Sequence, residues 1–246
     1  KIKFVNSSSK IPWGTIALLG DKTSGSKFEN VELTGGSGGS FDQYIFTSML
    51  SIHNTSNIDL KNIDFYDNKF FDDMLHIIYS NNVKLENLFF KDAYGDSIDI
   101  DLSKNILISN SNFHNSANDG IDLMESDVII KKVNIIKSKD KGISIGESSV
   151  AKIFESNLRN NKIGVAVKDN SKVSMSKINF LDNHSHIEAY RKNLQYGSGG
   201  KAKVTKSIFK SDMNQFLSND SEIIIKDSIF NGKISSKGKN ILIYER

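Results

Sequence analysis

The sequence predicts an all-β fold: a right-handed parallel β-helix, or solenoid, of about nine or ten coils with a repeat of 22–23 residues. Three observations lead to this prediction. Short segments recur at a nearly constant spacing, apolar and polar residues alternate within them, and amphipathic stretches of helical length are absent. Alternation indicates strands, because successive side chains of a strand point to opposite faces. Units this short bury their apolar side only against neighbouring units.

The repeat is clearest in three related segments, "GDSIDIDLS", "NDGIDLMES" and "DKGISIGES". Asp73, Asp96 and Asp119 follow one another at intervals of 23 residues, and steps of 22 continue the series through Lys141 and Ile163. A second series closes motifs such as "SNSNF" and "KDSIF", with steps of 21–25 residues and one of 29. Its members are Phe65, Phe90, Phe113, Ile135, Leu158, Phe180, Phe209 and Phe230. We expect this second series to form a stack inside the solenoid.

Composition limits the classes of protein that remain. The 246 residues, 38% of them hydrophobic, predict one domain over 1–246 with an inserted loop at 191–203, "RKNLQYGSGGKAK". A net charge of +3 from 32 basic and 29 acidic residues gives no reason to expect a nucleic-acid partner. The absence of cysteine excludes disulfides and zinc–cysteine sites. No apolar run is long enough to insert across a membrane.

The chain begins at "KIKFVNSSSK", without Met and without a leader segment. We therefore expect it to be excised from a longer chain. The exposed ends of a solenoid need covering. We expect the missing flanking chain or a partner to supply a cap.

Alternation also assigns side chains to the two sides of each strand. Apolar pairs such as Ile98/Ile100 and Ile121/Leu123 are expected inside. One outward column reads His76, Asp99, Asp122, Ser144, Ala166 and Glu188. The next reads Ile78, Asp101, Met124, Gly146, Lys168 and Tyr190. The residues just before the strands are Asp73, Asp96, Asp119 and Lys141. The sequence thus predicts one exposed face that is acidic in its middle, with a histidine on one side and lysines on the other.

Five aspartates are expected close together on two neighbouring coils. They are Asp96, Asp99, Asp101, Asp119 and Asp122. At a spacing of about 4.8 Å, each unscreened pair costs on the order of 3 kcal/mol at an effective dielectric of about 20. A bound hard cation such as Ca²⁺, proton sharing or the nearby lysines could offset this repulsion. For Asp73, Asp96 and Asp119 the alternative is a structural role, because aspartate starts tight turns. Aspartate is disfavoured within strands, so Asp99 and Asp122 indicate a functional role.

Over nearly the whole chain, these repeats resemble the pectin-lyase-like family of parallel β-helix proteins. The segments Asn118-Asp119-Gly120, "DKGISIG" and "GVAVK" are similar, in order, to motifs of polygalacturonases in that family. Asp119 and Lys168 match residue by residue, whereas Lys141 stands in place of a histidine and Ala166 in place of an arginine. A second resemblance, to β-helix polysaccharide lyases and epimerases, implies removal of a proton beside a uronic carboxylate. That chemistry uses calcium or cationic groups and a basic side chain.

This second resemblance assigns roles to the residues of the predicted face. The candidate catalytic residues are His76, Asp99, Asp122, Lys141 and Lys168, with either lysine as the base. The candidate Ca²⁺ ligands are Asp96, Asp99, Asp101, Asp119 and Asp122. The candidate substrate-binding residues are Ser144, Glu188, Tyr190, Arg191 and Lys192, the last three orienting an acidic sugar.

Three functions remain open. The first is an enzyme, secreted or at the cell surface, that acts on an acidic polysaccharide as a lyase or epimerase. The second is a module that binds such a polysaccharide without turnover. The third is a structural spacer of a larger surface protein. Replacing Asp99 and Asp122 by asparagine distinguishes them, because it abolishes turnover, weakens retention on glycan, or changes nothing but stability, respectively.

Overall fold

The computed structural model describes residues 1–7 and 11–245, which contain 26 strands and one short 3-10 helix, Asp21–Thr23. The strands are β1 (Ile2–Val5), β2 (Ile16–Leu19), β3 (Lys27–Thr34), β4 (Gly39–Phe41), β5 (Tyr44–Phe46), β6 (Ser48–His53), β7 (Ser56–Tyr66), β8 (Asp73–Ile78), β9 (Asn81–Lys91), β10 (Ile98–Asp101), β11 (Lys104–Ser109), β12 (Asn112–His114), β13 (Ile121–Met124), β14 (Asp127–Lys131), β15 (Asn134–Ile136), β16 (Lys141–Gly146), β17 (Val150–Phe154), β18 (Asn157–Arg159), β19 (Ile163–Lys168), β20 (Lys172–Ser176), β21 (Asn179–Leu181), β22 (Ser185–Tyr190), β23 (Lys201–Thr205), β24 (Ile208–Asn219), β25 (Glu222–Gly238) and β26 (Ile241–Glu245). Within these described residues, no helix is long and apolar enough to cross a bilayer.

Parallel pairing between successive coils arranges the strands in three faces. The first face consists of β2, β6, β8, β10, β13, β16, β19, β22 and the C-terminal parts of β24 and β25. The second face runs from β3 through β7, β9, β11, β14, β17, β20 and β23 to β25 and β26. The third begins with β1 and includes β12, β15, β18 and β21. Long strands such as β7 and β9 continue from the second face into the third.

The predicted parallel β-helix is confirmed. About eight regular coils lie between β6 and β25, slightly fewer than the nine or ten expected. A longer coil, from β2 to β6, precedes them, and β26 follows. Because the pairing is in register from coil to coil, each outward position of a strand continues as a column along the solenoid axis.

The core contains the two predicted sets of apolar residues. Side chains such as Ile98 and Ile100 are fully buried, and so are their equivalents in the coils from β8 to β22. The rings of Phe65, Phe90 and Phe113 stack with centroid distances of 4.5 and 4.9 Å and are nearly parallel. Equal spacing of equal side chains lets each coil fill the same volume as its neighbours, which explains why the sequence repeat is visible.

Polar ladders satisfy the backbone where the chain turns between faces. After β10, Leu102 adopts a left-handed conformation with φ of +46°, which ends the strand. The next residue, Ser103, accepts a hydrogen bond from the Ser80 amide one coil earlier (3.0 Å) and donates one to the Asp101 carbonyl (2.7 Å). This arrangement recurs in later coils, for example from the Ser103 amide to Ser126. The polar residues between the apolar segments thus satisfy backbone hydrogen-bonding groups where the chain turns from one face to the next.

Two insertions project from this regular body next to the first face. The first is an antiparallel hairpin of β4 and β5, between β3 and β6. The second is the predicted loop after β22, although β23 begins at Lys201, so the last three residues of the range 191–203 belong to a strand. Asp169 Oδ1 holds the root of this loop by accepting hydrogen bonds from the amides of Lys192 (2.7 Å) and Asn193 (2.9 Å).

Candidate functional site

The outward column predicted from the sequence has the same register in the structure. Asp99 on β10 is paired with His76 on β8 and with Asp122 on β13, and Asp122 is paired with Ser144 on β16. Asp99, Asp101 and Asp122 are partly exposed, with 25%, 16% and 30% of their side-chain surface accessible. These three carboxylates form the accessible acidic part of the first face.

His76 lies between a second histidine and two of these carboxylates. Its Nε2 atom is 3.5 Å from Asp101 Oδ2 and 3.9 Å from Asp99 Oδ2, and it makes no hydrogen bond. On the other side of the ring, Nδ1 is 3.2 Å from His53 Nε2 and 3.4 Å from Thr47 Oγ1. The ring is therefore held from one edge, and the other edge faces the acidic residues. We call His53, His76, Asp99 and Asp101 the histidine–aspartate centre.

Several carboxyl groups around this centre have raised pKa values. Burial and the charge of Asp119 raise the pKa of Asp96 to about 8. Burial, followed by the charge of Asp73, also raises the pKa of Asp99. In the described part of the chain, no lysine or arginine forms an ion pair with Asp73, Asp96 or Asp99. Of the three ways to offset the repulsion, protons or a bound cation remain at this end of the face.

Two of the five predicted Ca²⁺ ligands differ from expectation. Asp96 and Asp119 are buried beneath the face rather than exposed on it. Asp96 Oδ1 accepts a hydrogen bond from the Asp119 amide (2.6 Å), and Asp119 Oδ1 accepts one from the Lys141 amide (2.8 Å). Each carboxylate thus bonds the backbone of the next coil, which is the structural alternative considered for these residues. The structure does not bring all five aspartates around one point.

Among the residues that the structure describes, two smaller groups have ligand atoms close enough to hold a metal ion, all within 4.8 Å of one another in each group. The first group is His76, Asp99 and Asp101, and the second is Asp72, Asp73 and Asp96. Calcium prefers oxygen ligands, so the all-carboxylate second group fits it better, whereas a histidine nitrogen is typical of transition-metal sites. Asp73 Oδ1 is buried and has no hydrogen-bond partner, which also favours the second group.

Lys141 is a fixed positive charge on the other part of the face. Its ammonium contacts Asp140 Oδ2 and lies 3.5 Å from Asp119 Oδ1. Burial lowers the pKa of Lys141, but the carboxylates of Asp119 and Asp140 outweigh burial and raise the pKa above its ordinary value. A lysine that keeps its proton does not act as a base, so these contacts do not favour that role for Lys141. It is suited to neutralise an anion instead.

Lys168 and Ser144 were predicted to be exposed, but both are buried. The stem of Lys168 crosses the next-lower coil at Gly146, where an added Cβ would be 3.0 Å from Lys168 Cε. Its ammonium ends 4.0 Å from Asp122 Oδ1, two coils away from its own backbone. Ser144 Oγ is buried without a hydrogen-bond partner. The glycine at position 146 explains the burial of Lys168, because the absence of a side chain there leaves room for the lysine to lie flat.

Three of the predicted substrate-binding residues line a pocket at the C-terminal end of the face. Glu188, Tyr190 and Arg191 border a cavity of about 580 Å³. Burial raises the pKa of Tyr190 to about 12, and the charge of Lys141 acts against this rise. Arg191 is paired with Asp220 (2.8 Å), and Lys192 is exposed, with its amide bound to Asp169. Five strand spacings, about 24 Å, separate β22 from β8, the strand that carries His76, so the candidate residues form an elongated strip.

Sequence reasoning missed His53, Thr47 and Asp72. His53 precedes Ile78 in its column by one coil, and continuing that column toward the N-terminus would have found it. Asp72 precedes Asp73, which the repeat did identify. Thr47 belongs to the turn before β6 and carries no repeat signal. Thr47 Oγ1 donates a hydrogen bond to Asp73 Oδ2 (3.1 Å), and only the structure reveals this contact.

The chain belongs to a known family. Residues 48–193, more than half of the sequence, match the family described as right handed beta helix region. This match confirms the predicted right-handed parallel β-helix. No curated protein matches the sequence.

Several solved structures share the fold. The alginate lyase from Paenibacillus sp. str. FPU-7 is 14% identical, with a TM-score of 0.69 over 95% of this chain and 94% of that chain. The periplasmic alginate epimerase AlgG is 14% identical, with a TM-score of 0.63 over 85% of this chain and 50% of that chain. The pectate lyase pelN from Paenibacillus sp. 0602 is 10% identical, with a TM-score of 0.63 over 90% and 64%. The chain thus spans about half the length of the epimerase. At these identities the likeness shows the fold alone.

Proposed function

We propose that the protein is an enzyme, secreted or at the cell surface, that acts on a uronate-containing polysaccharide by elimination or epimerisation. The observation that carries this proposal is the fixed charge of Lys141 on the same strand face as a buried lysine, Lys168, beside Asp122. Removing the proton next to a carboxylate requires that the carboxylate be neutralised and that a base be within reach. The solved lyases and epimerase with this fold are consistent with such a substrate.

Each step has a candidate group. Lys141, held protonated by Asp119 and Asp140, pairs with the sugar carboxylate and stabilises the charge that develops when the adjacent C–H proton leaves. Lys168 accepts that proton in its neutral amine form; its contact with Asp122 is long (4.0 Å), whereas Lys141 is paired with two carboxylates. Tyr190, whose raised pKa keeps its hydroxyl protonated, donates a proton to the leaving oxygen or to the opposite face of the sugar.

The remaining residues of the strip bind and orient the polysaccharide in this proposal. Arg191 and Lys192 supply positive charge beside the pocket at the C-terminal end. At the other end, His76, Asp99 and Asp101 continue the same strip of residues. A Ca²⁺ ion held by Asp72, Asp73 and Asp96 would supply charge that offsets the repulsion among these carboxylates.

The experiment is an assay on alginate and on pectate with two readouts. Elimination produces an unsaturated sugar that absorbs ultraviolet light, and epimerisation changes the proton NMR spectrum without cleavage. We expect turnover by the wild-type protein and a loss of about a hundredfold or more in Lys168→Met. Lys172→Met is the matched control, because Lys172 is exposed at the start of β20 on the second face. If neither product forms from alginate or from pectate, the proposal is overturned.

The second candidate is a binding module without turnover. The pocket lined by Glu188, Tyr190 and Arg191 favours it, because a pocket at one end of an open face can hold a glycan without a reaction centre. Retention of the protein on immobilised alginate or pectate, weakened by Tyr190→Ala and accompanied by no product, would establish this function instead.

A further inference from the structure

A second pocket lies at the N-terminal end of the first face, outside all the residues considered above. It has a volume of about 470 Å³ and is bounded on one side by the β4–β5 hairpin, through Ser40, Phe41 and Phe46. On the other side it is bounded by the outward residues Ala17 and Leu19 of β2. The hairpin pairs only with itself, as an antiparallel sheet separate from the solenoid, and stands as a wall beside the first coil.

The floor of this pocket is continuous with the candidate site. Ala17 is in register with Ser51, and Ser51 is in register with His76 of the histidine–aspartate centre. At about 4.8 Å per coil, Ala17 lies two coils, or about 10 Å, from His76. A linear polymer that lies along the outward columns over the histidine–aspartate centre therefore extends into the pocket.

The hairpin is anchored at one aromatic residue and presents another. Phe46 is buried, and its ring centroid is 5.1 Å from that of His53, so the base of the hairpin packs on the histidine–aspartate centre. Phe41 is 74% exposed at the pocket wall. None of the residues that line the pocket is charged. The pocket can therefore recognise the apolar face of a ring, but not a carboxylate by ion pairing.

We propose that this pocket is a sugar subsite in which Phe41 stacks against the apolar face of a pyranose unit of the same polysaccharide chain. The inference rests on the proposed function for the identity of the polymer, and it adds a residue that determines the preferred substrate length. A sugar bound here lies beyond the histidine–aspartate centre and outside the reaction at Lys141 and Lys168. Its contribution is to binding of longer chains, so its loss raises KM without lowering kcat.

The test compares short and long substrates. Dissociation constants for the disaccharides and hexasaccharides of alginate and of pectate are measured by calorimetry with wild type, Phe41→Ala and Phe41→Trp. Phe154→Ala is the matched control, because Phe154 is a partly exposed phenylalanine of β17 on the second face. We expect Phe41→Ala to bind the hexasaccharide about tenfold more weakly, which corresponds to about 1.4 kcal/mol, with the disaccharide affinity unchanged.

The outcomes separate this inference from the proposed function. Hexasaccharide binding that is weakened by Phe41→Ala, retained by Phe41→Trp and unaffected by Phe154→Ala supports the subsite. Equal hexasaccharide affinity for wild type and Phe41→Ala overturns the subsite alone. Failure of the wild-type protein to bind any of the four oligosaccharides overturns both the subsite and the proposed function. Thermal melting of each variant shows whether the fold is retained.

Discussion

His53 and His76 form an edge-to-face pair, with His53 Nε2 3.2 Å from His76 Nδ1 and ring centroids 4.8 Å apart. Burial, with the charge of His76, lowers the pKa of His53 to about 4, so His53 is neutral near pH 7. A neutral partner at Nδ1 fixes the orientation of the His76 ring and leaves Nε2 facing Asp101. His53 is thus a positioning residue for the histidine–aspartate centre.

The first prediction concerns this pair. His53→Leu removes the nearer of the two partners of His76 Nδ1 and leaves Thr47 Oγ1, and we expect affinity for the glycan or turnover to fall about tenfold while the fold is retained. Nitrogen NMR of the His76 imidazole should show a changed tautomer population, which a purely structural role would not produce. His184→Leu, at an exposed histidine, is the control. An unchanged His76 spectrum in His53→Leu contradicts the prediction.

The pH dependence of stability tests the buried carboxyl Asp96. Its folded pKa, about 8, is raised above the usual 3.8, so its contribution to stability is present below pH 3.8 and is lost as the pH rises through 8. Asp96→Asn keeps an oxygen that accepts the Asp119 amide but cannot ionise. Its stability relative to wild type should therefore increase between these pH values, by at most about 1.4 kcal/mol per pH unit.

The measurement is thermal melting across this pH range in the presence of a chelator, so that a cation does not obscure the effect. Asp127→Asn is the control, since Asp127 is half exposed and paired only with Lys104 (3.3 Å). A difference between Asp96→Asn and wild type that stays constant with pH would show that Asp96 ionises normally in the folded protein.

Calcium binding distinguishes the two possible metal groups. If Ca²⁺ occupies the all-carboxylate group, its addition raises the melting temperature of wild type, by an amount that corresponds to about 2.7 kcal/mol at a hundred times the dissociation constant. Asp73→Asn should abolish this rise, and Asp99→Asn/Asp122→Asn should retain it. The reverse pattern assigns the ion to the exposed carboxylates, and no rise in any protein means that protons alone offset the repulsion.

The ion pairs of Lys141 should contribute to stability more than those of exposed lysines. Lys141→Met leaves the buried Asp119 carboxylate without its cation, and we expect a loss of about 1–3 kcal/mol. Because the pKa of Asp119, about 6, then rises further, the loss should be larger at pH 8 than at pH 5. Lys162→Met, which removes only an exposed partner of Asp140 (3.0 Å), should cost less than about 1 kcal/mol in urea unfolding.

Neighbouring phenylalanines of β9 test the interior stack. Phe90 is fully buried between the rings of Phe65 and Phe113, so Phe90→Ala should destabilise the fold by about 3–5 kcal/mol. Phe89 points outward from the same strand and is only half buried. Phe89→Ala should cost about 1 kcal/mol or less. Similar losses for the two variants in chemical denaturation would show that the stack is not the main support of this coil.

Most of the fold could be predicted because each coil repeats the same packing problem. Ile98 and Ile121 occupy equivalent positions in neighbouring coils, so the sequence interval between them equals the number of residues in one coil. The β4–β5 hairpin could not be predicted in this way, because it occurs once. Its position beside the first coil follows from the packing of Phe46 on His53, a side-chain contact that the strand pattern does not contain.

The candidate site was predicted only in part, because alternation gives the direction of a side chain but not its reach. Alternation assigns Asp99 and Lys168 to the outer side of their strands, which is correct for the backbone direction. It does not state how far a long side chain travels from there. Lys168 reaches two coils along the face because position 146 is glycine, and Asp119 turns into the backbone of the next coil. Such details depend on neighbours from other coils, which a strand pattern does not contain.

The stacking of coils also gives the molecule a mechanical direction. Hydrogen bonds between coils run along the axis, and each coil is held only by the one before and the one after. A force that separates the two ends of the chain therefore peels coils from an end one at a time instead of breaking all pairs together. Between β6 and β22, where the coils have 22–25 residues, each released coil lengthens the chain by about 80 Å. Under tension this part of the protein should unfold coil by coil and extend in a series of nearly equal steps.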